Sequence, residues 1–392
     1  MNVHDIVGRC EQLFEDLDFN AVKQWKAAAP GRKAIGYMPV YVPREIIHAA
    51  GMLPVGILGG GDQIEVIQGD AYYQSYICRI PRSTIELGLT GRLDCLDGML
   101  FPSICDVIRN LSGMWKVLRE SGTLWINPNA GADEVTGPLC APNIFRSSFT
   151  MWQSGYAMGE VAAKKGHKKV VTITWKYAAG DENIKGFKES FEKNGGTVVK
   201  ELSLPFPNVE FQALLTEIAA TKPDAVFTFF AGGGAVKFVK DYSAAGLKKT
   251  IPLYGSGFLT DGTLDAQGAD ADGLFTTLHY ADNLNNKRDQ NFRLAYAKTY
   301  KLQPDVYAVQ GYDAGQMLGI GLNATKGDAK NIQGFAQAVR AAKIDSPRGP
   351  FTISKSHNPV QDIYLRKVVG KENVLDSVAS KALADPGLGC KM

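Results

Sequence analysis

The chain has 392 residues, 45% of them hydrophobic, enough to fill two or three cores and too many for a disordered polypeptide. A formal net charge of +3, from 43 basic and 40 acidic side chains, leaves no strong field to draw nucleic acid or an anionic membrane. The start MNVHDIVGRCEQLFEDLDF carries acids and lacks a secretory h-region, and no apolar run of about 18 residues exists to span a bilayer, so the chain as written is expected in the cytoplasm with no membrane insertion.

Val3 to Lys26 has apolar residues near helical spacing (Ile6, Leu13, Phe14, Leu17, Val22) and reads as one or two amphipathic helices, stopped at Pro30-Gly31. AIGYMPVYVPREIIHAAGMLPVGILGGG then gives a short strand, a Pro-bounded turn, a helix from Arg44 to Ala50 and a second strand. The run Gly59 to Gly61 lacks the spacing and lysine of a phosphate loop and reads as a turn. In AYYQSYICRIPRSTIELGL, Cys78 sits beside Arg79 and Arg82. In LDCLDGMLFPSICDVIRNLSGMW, Cys105 follows Phe101-Pro102 at an expected strand-to-helix turn. Guanidinium groups and helix N-terminal amides both favour a thiolate.

GYMPVYVPREIIHAAGMLPVGI, YICRIPR and LDGMLFPSICDVIRNLSGMW together resemble the 2-hydroxyacyl-CoA dehydratase and benzoyl-CoA reductase subunit family over residues 5 to 118. That resemblance implies a [4Fe-4S] cluster held by cysteines of two motifs, matching Cys78 and Cys105, with at least one further cysteine much later in the chain. An iron–sulfur cluster ordinarily takes four thiolates. Cys95, beside Asp94 and Asp97, is a poor substitute, and the family's remaining α/β domains do not follow Trp115. Cys78 and Cys105 are therefore either the start of an incomplete ligand set or two reduced cysteines in a truncated domain.

Composition breaks inside GMWKVLRESGTLWINPNAGAD, Gly113 to Asp133. Residues 1–120 contain 8 Arg and 4 Lys, residues 121–392 contain 6 Arg and 25 Lys, and four of the six cysteines precede the break. Such a reversal implies two histories in one chain.

Beyond the break the pattern becomes strand–helix alternation. Strands are expected at TLWIN, KKVVTIT, TVVKELSL, DAVFTFF, PLYGSG and GLFTTLHY. Helices are expected over Trp152–Lys165, Glu182–Asn194, Glu210–Thr221 and Ala235–Ala245. Helices between short β-branched strands imply parallel sheets with ligands beyond the strands' carboxyl ends. Those ends carry NPNAG (Asn127–Gly131), Trp175-Lys176-Tyr177, Ala231 to Gly234 and Gly257-Phe258: amides, open backbone and aromatics without a nucleophile–base pair. Binding fits this set better than catalysis, and no catalytic residue is assigned.

WINPNAGADEVTGPLCAPNIFRSSFTMWQ, WKYAAGDENIKGFKESFEKNGG, KPDAVFTFFAGGGAVKFVKDY and QGYDAGQML resemble the type I periplasmic solute-binding proteins of ABC importers, the branched-chain amino acid group and its aromatic-acid relatives, over residues 121–392. The resemblance implies a hinged two-lobe α/β fold with parallel sheets and no cofactor. The implied partners are a small carboxylate ligand and an ABC permease, and the family's usual compartment is the periplasm. It implies ligand contacts at Asn129, Ala130, Gly131, Tyr177, Gly232 and Phe258; the alternatives are a surface aromatic for Tyr177, core packing for Phe258 and a helix cap for the glycine run. Cys140 and Cys390 would pair in an oxidising compartment and stay reduced in the cytoplasm.

The expected organisation is a separate α/β fragment at 1–120 followed by a receptor region at 121–392 whose first lobe is incomplete. Residues 151–272 and 346–392 would form the second lobe, 121–150 and 273–345 the remainder of the first. The expected function is a carboxylate receptor fused to a truncated reductase fragment. The alternatives are an iron–sulfur subunit of an ATP-dependent benzoyl-CoA reductase with partner subunits, and a joined pair of fragments with no complete site.

Overall fold

A computed structural model describes residues 2–38, 42, 44–67, 79–100, 122, 124–206 and 208–392. Cys78 and Cys105, the two expected cluster ligands, lie outside these described residues. The opening amphipathic pattern resolves into two helices, α1 (Val3–Glu15) and α2 (Asn20–Ala27), because Phe19 adopts a left-handed backbone at φ 54° between them. There follow β1 (Ala34–Tyr37), α3 (Arg44–Ala49), β2 (Leu53–Gly56), α4 (Arg79–Leu89), β3 (Gly98–Leu100), β4 (Trp125–Asn127) and β5 (Ile144–Arg146).

These five strands make one parallel sheet in the order β2-β1-β3-β4-β5. The seam between the two ancestries runs down its middle, where Met99 pairs with Trp125 and Leu100 with Ile126. The N-terminal segment is distinct by resemblance, yet it fills the strand positions that the receptor's first lobe lacks. Both faces of the sheet are packed jointly. On one, Ala34, Met38, Leu87 and Met99 cluster with Trp125, Val135 and Ile144; on the other, Ile35, Ile47 and Met52 cluster with Ile126, Phe145, Met317 and Phe335. A parallel sheet needs cover on both faces, and apolar residues from each side of the seam supply it.

The second lobe contains α5 (Met151–Lys164), β6 (Lys169–Lys176), α6 (Ala178–Lys193), β7 (Thr197–Pro205), α7 (Gln212–Thr221), β8 (Ala225–Phe229), α8 (Gly232–Ala244), β9 (Leu253–Ser256), α9 (Leu264–Gln267) and β10 (Phe275–Leu278). Its core strand β6 is buried at every position except its two ends, the pattern of a strand covered on both faces. After β10 the chain returns to the first lobe as α10 (Lys287–Tyr300), α11 (Val306–Ala324) and α12 (Ile332–Ala341). It then re-enters the second as β11 (Thr352–Ile353), β12 (Pro359–Val369) and β13 (Glu372–Leu383). The second sheet runs β11-β12-β10-β9-β8-β6-β7, with β13 beside β12. The expected division at residue 273 is corrected by this order: β10 pairs parallel with β9 and antiparallel with β12, so the chain leaves the second lobe only after Leu278.

The segments between lobes are pinned by buried polar contacts. Arg348 pairs with Asp313 at 3.3 Å and donates to the carbonyls of Ser147 and Ser148 at 2.6 and 3.2 Å. Gln153 donates to the carbonyls of Pro359 and Leu383, and Gln361 to that of Ser148. Cys140 and Cys390 form a disulfide that straps the C-terminus to the first-lobe loop.

Candidate ligand site between the lobes

The loop after β4 is organised by Asn127, whose side chain is buried. Its Oδ1 accepts from the amides of Asn129 (3.1 Å) and Ala130 (2.8 Å), and its Nδ2 donates to the Ala130 carbonyl at 2.9 Å. This is an Asx turn, the local bonding that Asn offers a tight loop. Two of the amides implied as carboxylate donors are thus engaged inside the turn itself. Gly131 is the position that needs glycine: a Cβ there would stand 2.6 Å from Phe149 Cε2 and 2.9 Å from Met151 Sδ. Its carbonyl accepts from Met151 N, bringing the turn against the start of α5.

Beneath the turn, the wholly buried Arg146 at the end of β5 ties the loop in place. Its guanidinium donates to the carbonyls of Ala130, Ala132 and Phe149, to Thr136 Oγ1, and through Nε to Asn358 Oδ1. Burial lowers its pKa to about 10, against the raising influence of Asp133, Asp385 and Glu182. Asp133 is pushed the opposite way, well above the usual carboxylate range, by burial and by Glu182 and Asp385.

Phe149 begins an aromatic wall that crosses from one lobe to the other. Its ring lies 5.2 Å from Phe258, which meets Phe229 edge-on at 6.3 Å; Phe229 in turn lies 6.1 Å from Tyr177. Met151 and Ala179 complete the cluster. Tyr177 and Phe258, expected on different strand ends, are brought together here, each half-buried. Tyr177 also packs on Phe206 at 5.3 Å and serves as the N-cap residue of α6, which starts four residues before the expected Glu182. Gly232 is placed at the first turn of α8 with φ 53°, exposed, with Ala231 as the N-cap; the glycine run opens the helix from inside it.

Sequence reasoning missed Asn127, Arg146, Phe149 and His279. His279 follows β10, is completely buried and stacks on Phe149 at 5.3 Å and 16°. Burial, then the charges of Arg348 and Arg366, hold its pKa well below the normal imidazole value, so it is neutral. A histidine closing a buried strand beside the aromatic wall is a signal that strand-end reading alone supplies. The arginine Arg146 is legible only as a charge inside the apolar run NIFRSSF.

The sequence profile of the periplasmic binding protein family matches residues 109–373. The chain belongs to the periplasmic binding protein family. A second profile, 2-hydroxyglutaryl-CoA dehydratase D-component, matches residues 39–128. Over 118 residues the chain is 76% identical to a benzoyl-CoA reductase subunit from Thauera aromatica, covering 30% of this chain and 31% of that protein. Over 261 residues it is 31% identical to Leu/Ile/Val-binding protein homolog 6 of Brucella melitensis, covering 64% of this chain and 65% of that protein. It thus spans under a third of the one relative and just under two thirds of the other. Among solved structures, a solute-binding protein of an ABC transporter from R. palustris in complex with benzoate superposes with a TM-score of 0.76. That match has 39% identity and covers 92% of this chain and 100% of the other. A solute-binding protein from Rhodopseudomonas palustris BisB5 in complex with 3,4-dihydroxybenzoic acid gives 0.74 at 28% identity, covering 91% and 99%. The chain therefore joins a solute-binding-protein-like region to a benzoyl-CoA reductase-like N-terminal fragment.

Proposed function

We propose that the two lobes close over an aromatic monocarboxylate of the benzoate class and present it for ABC import. The observation that carries this reading is the continuous aromatic wall of Phe149, Phe258, Phe229 and Tyr177, drawn from both lobes. A flat ring stacks or packs edge-on in such a setting, and the ring contacts add to the area buried. The benzoate and dihydroxybenzoate complexes of the two R. palustris relatives support the same class. The Cys140–Cys390 disulfide supports work in an oxidising compartment, in place of the cytoplasm expected from the first residues.

The reductase reading is weaker because of where the cysteines stand. A cluster site needs thiolates. Cys140 and Cys390 are bonded to each other, Cys10 is exposed on α1, and burial raises the pKa of the Cys95 thiol. No group of three or more potential metal ligands exists among the described residues. The described cysteines do not by themselves supply four thiolates, Cys78 and Cys105 lie outside the described residues, and no step is assigned to a cluster.

Titration calorimetry on the full chain with benzoate, 4-hydroxybenzoate and leucine tests the proposal. Heat with the two aromatic acids and none with leucine is expected. Binding of leucine alone, or of none of the three, contradicts it.

A further inference from the structure

Resting on the aromatic-acid reading, we infer that the ligand's carboxylate is received by the Nδ1–H of His279, with the Ser148 and Ser256 hydroxyls beside it, and not by the Asn129 and Ala130 amides. Those two amides already donate to Asn127 Oδ1. Two of the turn's three expected contacts are thus already engaged as donors.

His279 offers one by elimination. Its Nε2 lies 3.3 Å from Gln310 Nε2, and an amide NH2 group can only donate. With the Gln310 amide in this orientation the imidazole Nε2 is the acceptor, and a neutral ring then carries its proton on Nδ1. That atom is buried and has no hydrogen-bond partner. The Oγ atoms of Ser148 and Ser256 are buried and unpartnered as well. His279 itself stacks on Phe149; Ser148 directly precedes Phe149 in the chain, and Ser256 is paired in register with Thr277, two residues before His279. A buried donor without a partner is uncommon in a folded interior, and His279 Nδ1 beside the aromatic wall marks a place where a further acceptor sits.

The surroundings favour an anion there. Burial, with Arg348 and Arg366 nearby, keeps the His279 ring uncharged, so an anion placed there meets a neutral donor and no carboxylate free of its own partner. Asp313 and Asp261, the acids beside them, are already held by Arg348 and Arg366 at 3.3 and 2.8 Å. A carboxylate therefore meets neutral donors, whereas the ammonium of an amino acid finds both of these acids occupied. The chemical consequence is preference for a simple aromatic acid over an amino acid, and weaker binding of the corresponding amide, which offers one neutral acceptor oxygen where the carboxylate offers two charged ones.

The test uses the full chain as wild type, H279F and H279N, with benzoate and benzamide as probes, and near-ultraviolet circular dichroism to verify folding. H279F keeps the stack on Phe149 and removes the N–H; it is expected to weaken benzoate by about tenfold to a hundredfold. H279N places an amide N–H near the Nδ1 position and is expected to restore most of that loss. Long-range 1H–15N spectra of the wild type are expected to show the Nδ1-protonated tautomer, with that proton moving downfield when benzoate is added and less so with benzamide. Wild-type benzoate affinity in H279F, or an Nε2-protonated ring indifferent to benzoate, overturns the inference and leaves the aromatic-acid reading standing. Failure of the wild type to bind any aromatic acid overturns both. If H279F does not fold, the tautomer and its response decide alone.

Discussion

The two lobes carry the same strand order, β2-β1-β3-β4-β5 in the first and β7-β6-β8-β9-β10 in the second, but were assembled from different material. In the second lobe every strand falls within the receptor-like region. In the first, β1, β2 and β3 lie in the segment resembling a CoA-ester enzyme and only β4 and β5 in the receptor-like region. The second lobe's leading strands are long, eight and nine residues in β6 and β7, against four each in β1 and β2. The patched lobe also leaves its first helix without a seat: α1 has no buried residue, and Ile6, Leu13 and Phe14 are 48%, 53% and 59% exposed. A parallel sheet accepts any strand whose two faces are apolar and whose crossover has the right hand. Helices outside that sheet have no such generic partner. The comparison teaches that topology transfers between families more readily than surface complementarity does, and that binding chemistry resides in the strand ends.

The sharpest way to break the comparison is at the seam. Trp125 is 2% exposed, and Trp125→Ala is expected to cost about 3–5 kcal/mol of unfolding free energy in a urea titration, as a large core truncation does. Ile173→Ala, wholly buried in β6, should cost about 2–5 kcal/mol and serves as the second-lobe counterpart. A negligible cost at Trp125 beside a full cost at Ile173 would mean that the two sheets are not equivalent. Reducing the Cys140–Cys390 bond, which closes a separation of 250 residues, should lower stability by about 2–4 kcal/mol in the same assay.

A smaller effect concerns pH. His357 stacks on Phe145 at 4.0 Å, and burial lowers its pKa to about 4 in the folded chain, below the ordinary 6.5. A depressed histidine pKa means that the unfolded state binds the proton first. The stability His357 contributes is therefore present above pH 6.5 and is lost as pH falls toward 4. Melting temperatures at pH 7.5 and 5 should diverge in the wild type and diverge less in His357→Gln, where buried His279 alone of the two histidines keeps its share of the pH dependence. On the ligand side, Phe258→Ala should weaken an aromatic acid about tenfold by calorimetry, through lost ring contact and burial. Least of all, Lys371→Ala should leave the melting temperature unchanged, because its ion pair with Asp265 is solvent-exposed on both sides.

Much of the second lobe was legible because its strands are β-branched runs bounded by Gly and Pro, and five of them lie within a few residues of the expected positions. Tyr177 and Phe258 were legible as strand-end aromatics, though their meeting through Phe229 was not. The NPNAG stretch reads as a turn from its composition; that Asn127 consumes two of its amides depends on side-chain direction. Arg146, Arg348 and His279 escaped for a common reason. Arg146 bonds Asn358 across 212 residues and Arg348 bonds Ser147 across 201, so a local window can show a charge in an apolar run or a histidine at a strand end but not the partners that give each its place. The seam was legible in outline, because strands are expected near residues 34–37, 54–58 and 98–101 and could patch the receptor's sheet; that β3 pairs with β4 is a tertiary event that two adjacent compositions do not reveal.

Hydrogen exchange followed by mass spectrometry, with denaturant raised stepwise, tests most directly whether the two ancestries share one folded sheet. Amides of β1 and β3 are expected to be as protected as those of β4 and β5, and to lose protection at the same denaturant concentration. Rapid exchange over residues 34–37 and 98–100, while 125–127 and the second lobe stay protected, would contradict the account.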